Sequence, residues 1–137
     1  MNDRANFWFL VGFFSFLGFA AHSQELPDSC QLPAERFYLQ LEQDPESIVL
    51  DVRDTTEDRT LGIGGAILAP EPSTLLRIMD TVPTYSTLYV YCSYGDRSEQ
   101  ALQFILKRYP RHRFFHLKKG LERWKKLQYP LDTLKVP

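Results

Sequence analysis

The chain has 137 residues, 44% hydrophobic and 24% charged, with a formal net charge of -1. That length favours one domain over two. The composition excludes a disordered chain, and a nucleic-acid binder would show a strong basic excess that is missing here. The near-neutral total hides an asymmetry. Acids dominate between Glu25 and Arg59, through Glu35, Glu42, Asp44, Glu46, Asp51, Asp54, Glu57 and Asp58, whereas Glu122 is the lone acid among the many Lys and Arg from Lys107 to Lys126. Two solvated faces of unlike charge account for this, as does a positive field that favours a small anionic substrate.

In chain order, "MNDRANFWFLVGFFSFLGFAAHSQ" has a short polar start with Arg4, then an apolar stretch from Phe7 to Ala21, and ends in small residues with Ala21 and Ser23 before Gln24. This is the layout of a secretory signal peptide, residues 1–23, cleaved after Ser23. The apolar stretch, about 15 residues, falls short of the roughly 18 to 20 that span a bilayer. Cleavage is therefore expected over a retained anchor, with a periplasmic or secreted product and no stable membrane association. Residues 24–31 form an N-terminal extension, expected to be mobile, and residues 32–137 form the domain. Cys30 lies in the polar "LPDSCQLP", while Cys92 ends an apolar run. Settings so different argue against a disulfide between them, although export would permit one.

"PAERFYLQLEQD" puts Ala34, Phe37 and Leu41 on one helical face, with Pro33 suited to the start. "SIVLDV" (Ser47 to Val52) reads as a buried strand, and "AILAP" follows a polar stretch as a second. "PSTLLRIMDTV" has helical spacing, with Ser73 or Thr74 as its N-cap. "STLYVYC" is a third strand, and "SEQALQFILKRY" is a helix from Ser98 that Pro110 stops. "RFFHL" is a fourth strand and "KGLERWKKL" a last short helix, before a tail from Leu131 expected to be mobile. Strands alternating with helices predict an α/β domain with a mainly parallel sheet.

In such a sheet, ligands collect at the carboxyl ends of strands. Cys92 stands at one. Gly95 gives the next residues freedom to turn, so backbone N–H groups can face the sulfur, and the helix from Ser98 adds its positive end. Such a site favours the thiolate, which is the nucleophile. The spacing C-x-x-G-x-R-S, through Cys92, Gly95, Arg97 and Ser98, resembles the active-site loop of the rhodanese family of sulfurtransferases. "IVLDVRDTTEDRTLGIGGAILAP" looks like that family's first signature through Asp51, Arg53, Ile63, Gly65 and Ala66. "FFHLKKGLERWKKLQYPL" is similar to the closing signature through Leu117, Gly120, Trp124 and Pro130. Three positions depart from the pattern: Gly62 where His is usual, Gly64 where Pro is usual, and Lys119 for the first of two glycines.

The resemblance implies a three-layer sandwich with a mainly parallel central sheet flanked by helices. It implies sulfane-sulfur transfer from a donor such as thiosulfate to cyanide or a thiol, through a Cys92 persulfide and without a cofactor. Amides from Ser93, Tyr94, Gly95, Asp96, Arg97 and Ser98 would hold the persulfide anion. Arg97 would pair with donor oxygens or brace the loop. Asp96 is expected to face solvent, since an inward carboxylate disfavours the thiolate. Asp51 and Arg53 read as a structural ion pair at the loop's base, and Lys119 as a solvated lysine beside the mouth. His112 and His116 read as surface or core filler, with no histidine placed as a general base. Three scattered histidines and two separated cysteines offer no metal site. Phosphatases and arsenate reductases of the same architecture carry arginine as the sixth residue after the cysteine, and Arg97 is only the fifth after Cys92, which argues against phosphate chemistry. The alternatives are a non-catalytic binding module of the cell envelope, or a redox or persulfide carrier in which Cys30 resolves Cys92.

Overall fold

A computed structural model describes residues 25–136, so the signal peptide expected at residues 1–23 lies outside the described residues. After a single 3-10 turn (Asp28–Cys30), β1 (Gln31–Leu32) leads through Pro33 into α1 (Ala34–Gln43) and then β2 (Ile48–Asp51). A polar loop carries β3 (Leu61–Gly62) and ends in β4 (Ile67–Leu68). Then follow α2 (Pro72–Met79), β5 (Thr87–Tyr91), α3 (Asp96–Leu106), β6 (Arg113–Leu117), α4 (Gly120–Lys126) and β7 (Asp132–Thr133).

The main sheet has the order β1-β6-β5-β2-β4, and every neighbouring pair in it is parallel. β5 is the centre of the fold because its alternation serves both faces. Leu88, Val90 and Cys92 join one core cluster with Leu75 and Met79 of α2 and Leu102 and Ile105 of α3. Tyr89 and Tyr91 join the other, with Phe37 of α1 and Leu121 and Trp124 of α4. Helices thus cover both faces, giving the three-layer α/β sandwich expected from the sequence, with strands that are apolar on both sides as a parallel sheet requires. Trp124 anchors the second face: its ring meets Phe37 and Tyr38 edge-on, and its Nε1 donates to the Pro130 carbonyl at 2.9 Å.

Three local expectations need correction. α2 starts at Pro72, with Glu71 and not Ser73 or Thr74 in the cap position. Proline lacks the N–H that a first helical residue leaves unpaired, so it fits the first position. α3 starts at Asp96, two residues early, because Gly95 takes a left-handed φ of 100° as its cap. The two tails pack instead of fraying. Leu26 and Leu134 are buried, Gln31–Leu32 pairs with β6, and β7 pairs antiparallel with β3. Both are elements of two residues, too short to show any hydrophobic period.

Candidate active site

The chain turns back on itself between β2 and β5. From β2 the next sheet strand, β4, lies on one side, while β5 returns to the other. The carboxyl ends of β2 and β5 therefore border the crevice where the strand order reverses, the usual ligand position in an open α/β sheet. Val52 N–H donates to the Tyr91 carbonyl at 3.0 Å and Ala69 N–H to Asp51 at 2.8 Å, so the ends of β5, β2 and β4 stand level. Cys92 follows β5 directly.

The loop from Cys92 to Ser98 wraps its own sulfur. Gly95 N–H points at Sγ at 3.1 Å and Ser98 N–H at 3.4 Å, the latter from the first turn of α3. Both amides stand where the helix presents its unpaired donors and positive end. Of the six residues from Ser93 to Ser98, these two aim their amides at the sulfur. Cys92 itself is 1% exposed, which restricts access to a small reactant, whereas Tyr94 at the loop tip is 71% exposed.

Two glycines permit this shape. A Cβ on Gly95 would collide with the Lys118 carbonyl, and one on Gly120, at φ 65°, would collide with the backbone of Ser93. The loop thus lies flat against the turn from β6 into α4. There Leu121 N–H donates to the Cys92 carbonyl at 2.8 Å and Glu122 N–H to Ser93 at 3.0 Å. Lys119 is exposed and borders a recess with Glu35 and Arg123 at the start of α1. At Gly62 a side chain would collide with the Tyr91 hydroxyl and Leu134, so the histidine of the usual pattern has no room.

Arg97 turns away from the sulfur. Its Nε donates to Val52 at 3.1 Å, one terminal nitrogen pairs with Asp54 at 2.7 Å, and the other donates to Pro70 at 3.1 Å. Of its two expected roles the structure shows the brace: the guanidinium fastens α3 to the ends of β2 and β4. The Thr56 N–H and Arg97 hold the Asp54 carboxyl below its ordinary range. Asp96 is exposed, yet its Oδ1 lies 3.8 Å from Sγ and accepts from the thiol. This corrects the expectation that it faces solvent only: in the first turn of α3, its side chain leans back over the loop.

Asp51 and Arg53 form a buried fork beneath the loop. Arg53 Nε donates to both carboxylate oxygens at 3.0 and 2.9 Å, and a terminal nitrogen donates at 2.6 Å. Burial opposes the Arg53 charge, but the bonds and charge of Asp51 outweigh it and raise its pKa. The Tyr91 hydroxyl donates to Asp51 at 2.7 Å, and burial with that carboxylate keeps it protonated.

Two further residues reach the site that the sequence did not assign to it. Glu57 accepts from the Ser93 hydroxyl at 2.5 Å and from Asp54 N–H at 2.7 Å, pinning the loop from its outer side. His116, expected to be filler, is 1% exposed, and its Nδ1 lies 3.1 Å from Ser98 Oγ, which is itself 3.6 Å from Sγ. Alternation along β6, with Phe114 and His116 on one face, is the only local sign of its direction. A cavity of about 480 Å³ beside Val49, Ile63 and Trp124, and a cleft of about 380 Å³ between α2 and α3 beside Arg97, do not include Cys92 in their walls.

Residues 34–127 match the family described as Rhodanese-like domain. No curated protein matches the chain. Among solved structures, a thiosulfate sulfurtransferase from Pseudomonas aeruginosa is 25% identical with a TM-score of 0.67, covering 77% of this chain and 20% of that one. This chain therefore spans about a fifth of that protein. A full-length Lactobacillus plantarum protein is 26% identical with a TM-score of 0.62, covering 77% of this chain and 89% of that one. The Rhodanese-like domain of an Anabaena protein is 26% identical with a TM-score of 0.64, covering 77% and 80%.

Proposed function

The chain belongs to the rhodanese-like domain family, and from that premise we propose that it transfers sulfane sulfur through Cys92. The observation that carries the reading is the pair of amides, from Gly95 and Ser98, aimed at Sγ from the positive end of α3. They stabilise negative charge on Cys92 as thiolate and then as persulfide, in the manner of an oxyanion hole.

The Cys92 thiolate attacks the outer sulfur of a small anionic donor such as thiosulfate. The donor's S–S bond breaks, sulfite leaves with the electron pair, and a Cys92 persulfide remains. Cyanide or a thiolate then attacks the outer sulfur and returns the electron pair to Sγ. No net oxidation occurs and no cofactor is needed. A covalent intermediate between two substrates predicts ping-pong kinetics. The export segment, residues 1–23, supports action in the periplasm or outside the cell.

Intact-protein mass spectrometry after brief exposure to thiosulfate tests the reading. Wild type is expected to gain the mass of one sulfur atom and lose it to cyanide, and Cys92→Ser to gain nothing. A folded, reduced wild type with no adduct would sink thiosulfate as the donor.

A further inference from the structure

His116 is a buried titratable group that the sulfur-transfer steps leave unused. It sits in the middle of the sheet, opposite Gln31 of β1 and Val90 of β5, and its Nε2 is buried without a partner among the described residues. Among the described residues its polar contact is Ser98 Oγ at 3.1 Å. Ser98, fully buried, also donates to the Gly95 carbonyl at 3.0 Å and stands 3.6 Å from Sγ.

Proton accounting decides the tautomer. A serine hydroxyl has one proton and two lone pairs. With that proton on the Gly95 carbonyl, the bond to His116 requires the imidazole to donate, so the ring proton is on Nδ1. Nε2 is then a bare lone pair, which burial tolerates better than an orphaned N–H. When Cys92 loses its proton, the hydroxyl can rotate from the Gly95 carbonyl to the sulfur. His116 remains donor to Oγ, so the chain Nδ1–H to Oγ–H to S⁻ runs in one direction and each bond polarises the next. The Gly95 and Ser98 amides stay in place, and the anion gains a third donor.

We propose that His116 is a positioning residue: as the Nδ1–H tautomer it keeps the Ser98 hydroxyl pointed as a donor to the Cys92 sulfur anion. The side chain suits this task because it stays neutral. Burial, with Lys118 nearby adding to it, pushes His116 down to about 4. No proton transfers to the ring in the resting cycle; the imidazole only orders the hydroxyl. The other charged groups near the sulfur are Asp96 at 3.8 Å and Glu57, which reaches the loop through Ser93. The inference deepens the sulfur-transfer reading and rests on it for activity alone, because the thiolate can be followed by alkylation without any donor.

The experiment measures iodoacetamide alkylation of Cys92 against pH in full-length protein carrying Cys30→Ser, so that only one thiol reports. His116→Leu is expected to slow alkylation about tenfold at pH 7 and move the midpoint of the profile upward, the scale of losing one hydrogen bond to a charged group. Ser98→Ala is expected to do the same, and the double variant to add nothing further. His116→Asn, whose amide can donate from near the Nδ1 position, is expected to restore most of the rate. A folded His116→Leu with an unchanged profile, or single effects that multiply in the double variant, would overturn the proposal. Because a buried leucine could prevent folding, the wild-type ¹⁵N–¹H spectrum of the His116 ring serves as the second measurement. A proton on Nδ1 between pH 5 and 8 supports the assignment, and a proton on Nε2 overturns it. Alkylation shifts without a thiosulfate adduct would mean that the donor assignment fails while the role of His116 stands.

Discussion

At the residue scale, the chemistry of Cys92 is a contest between two amides and one carboxylate. Gly95 and Ser98 donate to the sulfur, while Asp96 accepts from its thiol at 3.8 Å and sets a carboxylate beside it. Two unit charges at such a separation interact by roughly 4 kcal/mol in a surface-like dielectric, and the exposure of Asp96 reduces that considerably. Asp96→Asn is therefore expected to increase alkylation of Cys92 below neutral pH by about tenfold, and to raise kcat/KM for thiosulfate, whose charge the carboxylate also repels. The gain should shrink as salt is added. Equal alkylation profiles for the two proteins would show that Asp96 has no electrostatic hold on the sulfur.

At the element scale, the ends of β2 and β5 are tied by charge as well as by backbone. Arg53 leaves β2, grips Asp51, and donates to the carbonyls of Asp58 at 3.1 Å and Leu61 at 2.8 Å, while Tyr91 reaches Asp51 from β5. One side chain thus holds the main sheet, the polar loop and β3 together. Its removal strands a carboxylate that is 0% exposed. Arg53→Met is expected to cost about 3 to 5 kcal/mol, the usual penalty for an unpaired buried charge, visible as a lower urea midpoint. Asp51→Asn with Arg53→Met together should recover part of that loss, since no charge is left unpaired. A single variant as stable as wild type would mean that water reaches Asp51.

At the scale of the whole molecule, both ends of the described chain are fastened to the sheets. β7 closes on β3, and Leu134 N–H donates to the Thr60 carbonyl at 2.8 Å, so the C-terminal tail is fastened to the polar loop that carries β3. The proposal of export rests on the signal-peptide layout of residues 1–23, which lie outside the described residues. Expression of the full chain in a secreting host is expected to yield exported protein beginning at Gln24, read by N-terminal sequencing. Full-length protein retained in the cytosol would overturn the export proposal.

How much of this was legible in the sequence differs by the range of the signal. The apolar run in "STLYVYC" and helical spacing in "SEQALQFILKRY" are local, so strand, helix and the cysteine between them could be read in order. The resemblance of the loop and its two flanking signatures pointed to the family and, through it, to Cys92. Gly95 and Gly120 were read as turn and motif positions. That each must lack a Cβ because the loop and the β6–α4 turn touch is a tertiary fact. The short β3 and β7 were missed for the same reason, since each exists only through its partner.

What the sequence by itself determined is the α/β order, the parallel sheet and the cysteine at a strand's carboxyl end, because hydrophobic period and loop spacing are properties of neighbouring residues. Only the tertiary structure decided which groups meet there: Arg97 bracing Asp54, Glu57 pinning Ser93, Asp96 leaning over the sulfur and His116 standing behind Ser98. Those partners lie 4 to 43 residues apart, and His116 comes to Ser98 only because β6 pairs beside β5 under the start of α3. Side chains are aimed by packing, and packing is a property of the whole chain.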